Sequence, residues 1–215
     1  MRLIDTHSHL FLEEFSEDLP QVIERARSAG VTHIFMPNID STTIDSMLSV
    51  CNTYNDYCFP MIGLHPTSVN ADYEKELEIV ARELRSFNKY IAIGEVGMDL
   101  YWDKTFLKEQ QIVLDKQINW ALEYDLPVVI HCRDAFGYIY NVLEPYKNTS
   151  LKGVFHSFTG TDDEAARILE FSGFLIGING VVTFKKSRLP EVLTKIPLEK
   201  IVLETDSPYL TPVPN

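Results

Sequence analysis

Asp5-Thr6-His7-Ser8-His9 closes a short apolar opening, Arg2-Leu3-Ile4, that reads as a first β-strand. Side chains two apart on a strand share a face. His7 and His9 can therefore reach one metal ion together, and imidazole is the most common metal-binding side chain. Further apolar stretches of strand character end at Glu95, His131, His156 and Asp206, and another runs into His65. A lone pair of histidines is a weak signal, because a strand-end histidine is often merely solvated. Six residues of ligand type (His7, His9, Glu95, His131, His156 and Asp206) on five strands form a pattern that accident does not readily supply.

Six ligands exceed what one catalytic ion takes, usually three protein groups and an open position. A carboxylate can bridge two ions about 3.5–4 Å apart. Glu95 is the natural bridge, so that one ion takes His7, His9, Glu95 and Asp206 and the other takes Glu95, His131 and His156. Between two such ions the pKa of a water falls from 15.7 toward about 7, and Asp206 is placed to accept or relay its proton. The mixed His/carboxylate set suits Zn²⁺, Mn²⁺ or Fe²⁺, with Mg²⁺ an alternative if it keeps several waters. No Ser or Cys nucleophile is required, and Cys132 alternates away from His131 on its strand.

The elements that must position these residues follow from periodicity. Leu19, Val22, Ile23, Ala26 and Ala29 form one helical stripe stopped by Gly30, and similar stripes recur at 77–84 and 106–124. Strands are expected at 31–36, 59–64, 90–93, 126–130, 153–155, 174–178 and 201–203, with a modest last helix at 187–196. Strand and helix alternate throughout, and the strands are nearly continuous apolar runs, which points to a parallel sheet covered on both faces. Eight such units favour a closed α/β (β/α)8 TIM barrel, residues 1–215 forming a single barrel whose chemistry gathers at the C-terminal ends of the strands. An open doubly wound sheet is the alternative, but no G-x-G-x-x-G follows the first strand.

The last strand leads to Asp206 and nine residues follow, Ser207 to Asn215, so the helix that normally follows an eighth strand is expected to be lacking. Strand alternation turns Ile4, Ile201 and Leu203 outward at the seam between strands eight and one. That seam is expected to stay exposed or to be covered by a neighbouring chain, making self-association there a consequence. The net charge of −12 argues against broad wrapping of nucleic acid, though not against phosphate held through bound ions. No apolar run reaches the roughly 18–20 residues of a membrane span. Charged and polar residues interrupt the N-terminus where a signal peptide needs an apolar core. The three cysteines, Cys51, Cys58 and Cys132, form no C-x-x-C pair and read as reduced thiols, so a cytoplasmic location is expected.

His7-x-His9, Gly63-Leu64-His65-Pro66, Gly94-Glu95-Val96-Gly97-Met98-Asp99, Ile130-His131-Cys132-Arg133-Asp134-Ala135, Phe155-His156-Ser157-Phe158-Thr159-Gly160 and Glu204-Thr205-Asp206-Ser207-Pro208-Tyr209-Leu210 occur in that order. Together they make the chain resemble the TatD family of metal-dependent deoxyribonucleases, within the larger amidohydrolase group. The resemblance implies a barrel, two divalent ions with the ligands given above, and hydrolysis of DNA phosphodiesters, often from a single-stranded 3′ end. It also implies a longer chain, with a basic loop and terminal helices beyond Pro214.

Two further positions match the family's substrate region. His65 is placed to hydrogen-bond a phosphate oxygen, and Arg133, two beyond His131, faces the same mouth and can grip phosphate bidentately. Glu204 shares a face with Asp206 one layer deeper, where it supports the ligands. Tyr209, Tyr101, Trp102 and Phe11 lie on mouth loops and offer stacking surfaces for bases. The competing readings are a metal-dependent amidohydrolase or small-phosphoester hydrolase, and a non-catalytic metal-binding barrel. Many hydrolases of the first kind bridge their ions with a modified lysine at the end of strand four, as the superfamily resemblance suggests. Here Glu95 holds that position and Lys89 lies at the wrong end of the strand.

Overall fold

Eight parallel strands alternate with seven helices in the computed structural model, which describes residues 2–86 and 89–214. The strands are β1 (Leu3–Asp5), β2 (Val31–Pro37), β3 (Cys58–Met61), β4 (Ile93–Asp99), β5 (Val128–Arg133), β6 (Gly153–Phe155), β7 (Phe174–Ile178) and β8 (Ile201–Leu203). The helices are α1 (Leu19–Ser28), α2 (Ile44–Thr53), α3 (Tyr73–Ser86), α4 (Leu107–Glu123), α5 (Phe136–Leu143), α6 (Asp162–Leu169) and α7 (Leu189–Leu193). Helix α6 begins with a reciprocal capping box between Thr161 and Glu164, which satisfies two backbone donors at once.

Two parallel ladders, β1-β2-β3 and β4-β5-β6-β7-β8, make up the wall. A bridge between Ile62 and Ile93 joins them on one side, and a bridge between Ser8 and Ser207 joins them on the other. At this second seam the Thr6 N–H donates to the Leu203 carbonyl at 3.1 Å, Asp206 N–H to His7 at 2.9 Å and His9 N–H to Ser207 at 2.8 Å. The ring is thus closed in TIM-barrel fashion, and the ends of all eight strands face one mouth. Side chains of α4 such as Leu114, Ile118 and Ala121 belong to one buried cluster with Val96 and Ile130 of the sheet.

The structure departs from the pattern expected from sequence at several elements, beginning with a third strand that ends at Met61 rather than at 64. The fourth strand does not end before the Gly94-Glu95-Val96-Gly97 stretch but runs through it, with Gly97 opposite His131 and Asp99 opposite Arg133. Gly97, at φ +137°, lies so close to β5 that a Cβ there would meet the His131 carbonyl oxygen at 2.0 Å, so this glycine permits strand contact rather than ending a strand. Helix α7 is only five residues long, against the ten expected at 187–196, and Pro190 sits in its first turn, where proline is tolerated. Among the described residues no helix follows β8; Asn215 lies outside them. At that seam Ile4 and Leu203 are 44% and 55% exposed, whereas Ile201 is partly covered by the main core.

Candidate metal centre and active site

Five imidazoles surround one carboxylate. His7 and His9 alternate on the segment leaving β1, and their Nε2 atoms lie 3.2 and 3.6 Å from Glu95 Oε2. The other oxygen, Oε1, has His156 Nε2 at 2.8 Å, His131 Nδ1 at 3.0 Å and His65 Nε2 at 3.3 Å. Asp206 closes the group, its Oδ1 lying 3.6 Å from His7 Nε2 and 3.5 Å from His9 Nε2. Of the eight sequence-derived positions, five histidines close on Glu95 and Asp206 closes on His7 and His9, so that residues as far apart in the chain as His7 and Asp206 meet, with Arg133 outside this contact set. The sixth histidine, His33, instead stacks on Phe59.

The donor set fits divalent cations. His7, His9, Glu95, His156 and Asp206 are all buried, and the Nε2 atoms of His7 and His9 approach each other to 3.2 Å. Two oxygens cannot accept a proton from each of five rings, whereas imidazole lone pairs directed at a cation are all used. Potential ligand atoms fall into three groups within 4.8 Å: His7/His9/Glu95, His7/His156/Asp206 and His65/Glu95/His131. The third group sets His65 beside His131 at Glu95, and the second sets His156 with His7 and Asp206, whereas the sequence reading paired His156 with His131.

Electrostatics keep the acceptors charged. Burial opposes ionisation of Glu95, but His156, His65 and His7 outweigh it and hold the carboxyl well below the usual carboxylate range. Burial likewise opposes ionisation of Asp206, and the hydrogen bond from His9, with His156 and His7 nearby, prevails to hold it low. Burial also pushes His7 below the ordinary imidazole value, favouring the neutral form that a metal ligand needs. The Cys132 thiol is driven up to about 12, chiefly by burial, which leaves it a poor nucleophile.

Supporting residues lie immediately behind the ligands. Glu204 is buried beneath the site, its Oε1 3.6 Å from His156 Nδ1 and accepting a hydrogen bond from the Ser157 N–H. Sequence reasoning missed two carboxylates. Asp99 Oδ2 lies 3.0 Å from His131 Nε2, so this ring is held between Asp99 and Glu95. Asp5 Oδ1 accepts from the N–H groups of Thr205 at 2.9 Å and His7 at 3.3 Å, and Oδ2 accepts from the Thr205 hydroxyl at 2.7 Å. One side chain thereby ties the segment carrying His7 to the segment carrying Asp206. Burial raises the Asp5 pKa to about 6 against the pull of those bonds. The signal available in the sequence was the spacing alone: Asp5 precedes His7 by two, and Asp99 follows Glu95 by four on the same strand.

A cavity of about 620 Å³ opens over the cluster, with His9, Glu95 and Asp206 in its floor and Trp102, Arg133 and Tyr209 among its walls. Arg133 does reach this mouth; its guanidinium lies 3.8 Å from the Tyr101 ring centre and 5.2 Å from that of Trp102. Tyr101, Trp102 and Tyr209 are exposed, whereas Phe11 is buried and packs edge-on to His9. Phe11 is therefore core, contrary to its placement among the stacking candidates, because the turn after β1 folds it inward.

A family model described as "TatD related DNase" matches residues 4–215. The chain is 37% identical over 213 residues to the uncharacterized metal-dependent hydrolase YabD of Bacillus subtilis, covering 99% of this chain and 82% of that protein. It is 32% identical over 212 residues to the 3′-5′ ssDNA/RNA exonuclease TatD of Pantoea ananatis, covering 98% and 81%. The crystal structure of YjjV, a TatD homologue from Escherichia coli, superposes with a TM-score of 0.88 at 33% identity, covering 97% of this chain and 80% of that one. With a histidine-ringed carboxylate at the mouth of a matching barrel, the chain belongs to the TatD family of metal-dependent hydrolases.

Proposed function

We propose that this chain is a two-metal deoxyribonuclease that removes nucleotides from the 3′ end of single-stranded DNA. The observation that carries the reading is the convergence of five imidazoles on Glu95, with Asp206 against two of them, at the floor of an open cavity. Glu95 would hold both ions, with His7, His9 and Asp206 on one and His131 and His156 on the other. When bound, such ions lower the pKa of a water toward about 7 and offset charge on a phosphodiester's non-bridging oxygens. Asp206, whose Oδ1 lies 3.5 Å from His9 Nε2 and 3.6 Å from His7 Nε2, accepts the proton of the attacking water. His65 offers a hydrogen bond to phosphate and, with its Nε2 3.3 Å from Glu95 Oε1, also buttresses the ion position beside His131, while Thr67 holds its other ring nitrogen, Nδ1, at 2.6 Å.

Arg133 supplies the cation for a second phosphate, and Trp102, which is 72% exposed, supplies a face for a base. A relative's name, 3′-5′ ssDNA/RNA exonuclease, supports the polarity and the single-stranded substrate. Single-stranded DNA labelled at its 3′ end should release labelled mononucleotide at once, and 5′-labelled DNA should shorten in a ladder. Release of the 5′ label first would refute the polarity. Arg133→Ala and Trp102→Ala should each raise KM about 5- to 50-fold with kcat changed less than threefold, corresponding to roughly 1–2 kcal/mol of substrate binding. Equal losses in kcat would place these residues at the chemistry instead.

The amidohydrolase alternative is disfavoured by Lys89, which is exposed and lies four residues before β4 begins, away from the mouth. A cytoplasmic setting belongs to the same proposal, supported by three free cysteines. No helix among the described residues is long and apolar enough to cross a membrane. The seam where Ile4 and Leu203 are bare is proposed to pair with a second copy of the chain. Burying the exposed half of each would contribute about 1 kcal/mol. Light scattering should therefore show a dimer or larger species that Leu203→Glu converts to monomer, and a wild-type monomer at all concentrations would refute the pairing.

A further inference from the structure

The barrel wall parts between β3 and β4 at the mouth. The two strands stay laddered through Ile62, whose N–H donates to Ala92 at 3.1 Å and whose carbonyl accepts from Gly94 at 2.9 Å. Beyond that point β3 has ended, while β4 continues to Asp99. Backbone groups on both edges of the gap are buried and have lost the partner strand, a situation that costs stability unless other groups pair with them.

Asn38 pairs with Gly63, Gly94 and Glu95 at the near end of the gap, and helix α4 supplies two glutamines farther along it. Gln117 Oε1 accepts from the Leu64 N–H at 2.7 Å, and its Nε2 donates to the Leu64 carbonyl at 3.2 Å. Gln110 Oε1 accepts from the Asp99 N–H at 3.0 Å, and its Nε2 donates to the Asp99 carbonyl at 3.2 Å. Each amide thus satisfies both polar groups of one residue, as a neighbouring strand would. The glutamines are seven apart, two helical turns, so they share one face of α4. Both are buried, at 4% and 0% exposure for Gln110 and Gln117.

What the two amides hold is the support of one side of the metal centre. Leu64 immediately precedes His65, whose Nε2 lies 3.3 Å from Glu95 Oε1. Asp99 carries the carboxylate that orients His131, whose Nδ1 lies 3.0 Å from that same oxygen. Neither amide touches the segments carrying His7, His9 or Asp206, which the β8/β1 seam and Asp5 hold in place. We infer that Gln110 and Gln117 are positioning residues for the ion beside His131, with α4 serving as a substitute strand that locks the two edges of the β3/β4 gap in register. The inference rests on the two-metal reading and adds to it an asymmetry: one ion position depends on α4 and the other does not.

Titration of chelator-treated protein with Mn²⁺, followed by calorimetry, tests this. Wild type, Gln110→Leu, Gln117→Leu and the control Gln111→Leu, a half-buried neighbour on α4, are compared, with circular dichroism and thermal melts of the metal-free forms. Wild type should bind two ions. Each of Gln110→Leu and Gln117→Leu should weaken one of the two sites at least tenfold and leave the other within twofold, while Gln111→Leu changes neither. Two unchanged affinities in a folded variant would overturn the inference, and so would equal weakening of both sites, which would mark the glutamines as general core stabilisers. Should either variant fail to fold, the other decides the matter at its own edge of the gap. If wild type itself binds no Mn²⁺, the two-metal reading fails and the inference falls with it, an outcome distinct from wild-type binding that the variants leave untouched.

Discussion

Replacing Glu95 with alanine should leave the chain folded and strip it of metal. Each of the five imidazoles at the centre lies within 3.6 Å of a Glu95 oxygen, and both oxygens are engaged. Removing the carboxylate takes away the one group common to both sides of the site and leaves neutral rings facing one another. On the proposed two-metal reading, metal content measured by elemental analysis should fall from two ions per chain to fewer than about one, since the shared ligand would be lost from both. The several kcal/mol of transition-state stabilisation that ions supply would go with them, and about 4 kcal/mol is roughly a thousandfold in rate. Circular dichroism should remain that of the native barrel, because the residue contributes little apolar packing. Two ions retained in Glu95→Ala would show that the histidines hold metal without a bridge.

Asp206→Asn should separate proton transfer from binding. Asparagine keeps the shape of the side chain, and asparagine tolerates the positive φ of 58° found here. It cannot take a proton from water near neutral pH. Turnover should drop about 10²- to 10⁴-fold, the usual contribution of a positioned general base, while KM stays within a few-fold. At least one ion should remain, because Glu95 and the histidines are intact. Wild-type turnover in this variant would remove Asp206 from the proton path.

Much of this centre was legible in the chain. His7 and His9 declare themselves by alternation at the end of a strand. Asp206 and His156 do so by closing short apolar runs, and the eight-fold rhythm of strand and helix implies the mouth at which they meet. Less legible was how each is held. The glycines beside Glu95 read as the end of a strand, yet Gly97 lets β4 approach β5 within van der Waals limits that no side chain would allow. Phe11 reads as an exposed loop aromatic, but the turn direction that buries it depends on long-range packing. Gln110 and Gln117 lie on a helix with an apolar stripe of its own and look like ordinary polar positions. Their partners are backbone groups, those of Leu64 being 53 residues away in the chain, and no side-chain pattern announces them. Asp5 was visible as a member of the motif, though its tie to Thr205, 200 residues later, appears only when the barrel closes.

The measurement that tests the account most directly follows nuclease activity during stepwise return of Mn²⁺ to metal-free protein. Release of nucleotide from 3′-labelled single-stranded DNA should be absent without metal. It should rise steeply as the second equivalent binds, and should be lost again in Glu95→Ala at any metal concentration used. Full activity in the presence of excess chelator, or full activity at a single equivalent, would contradict a hydrolase built around two ions on Glu95.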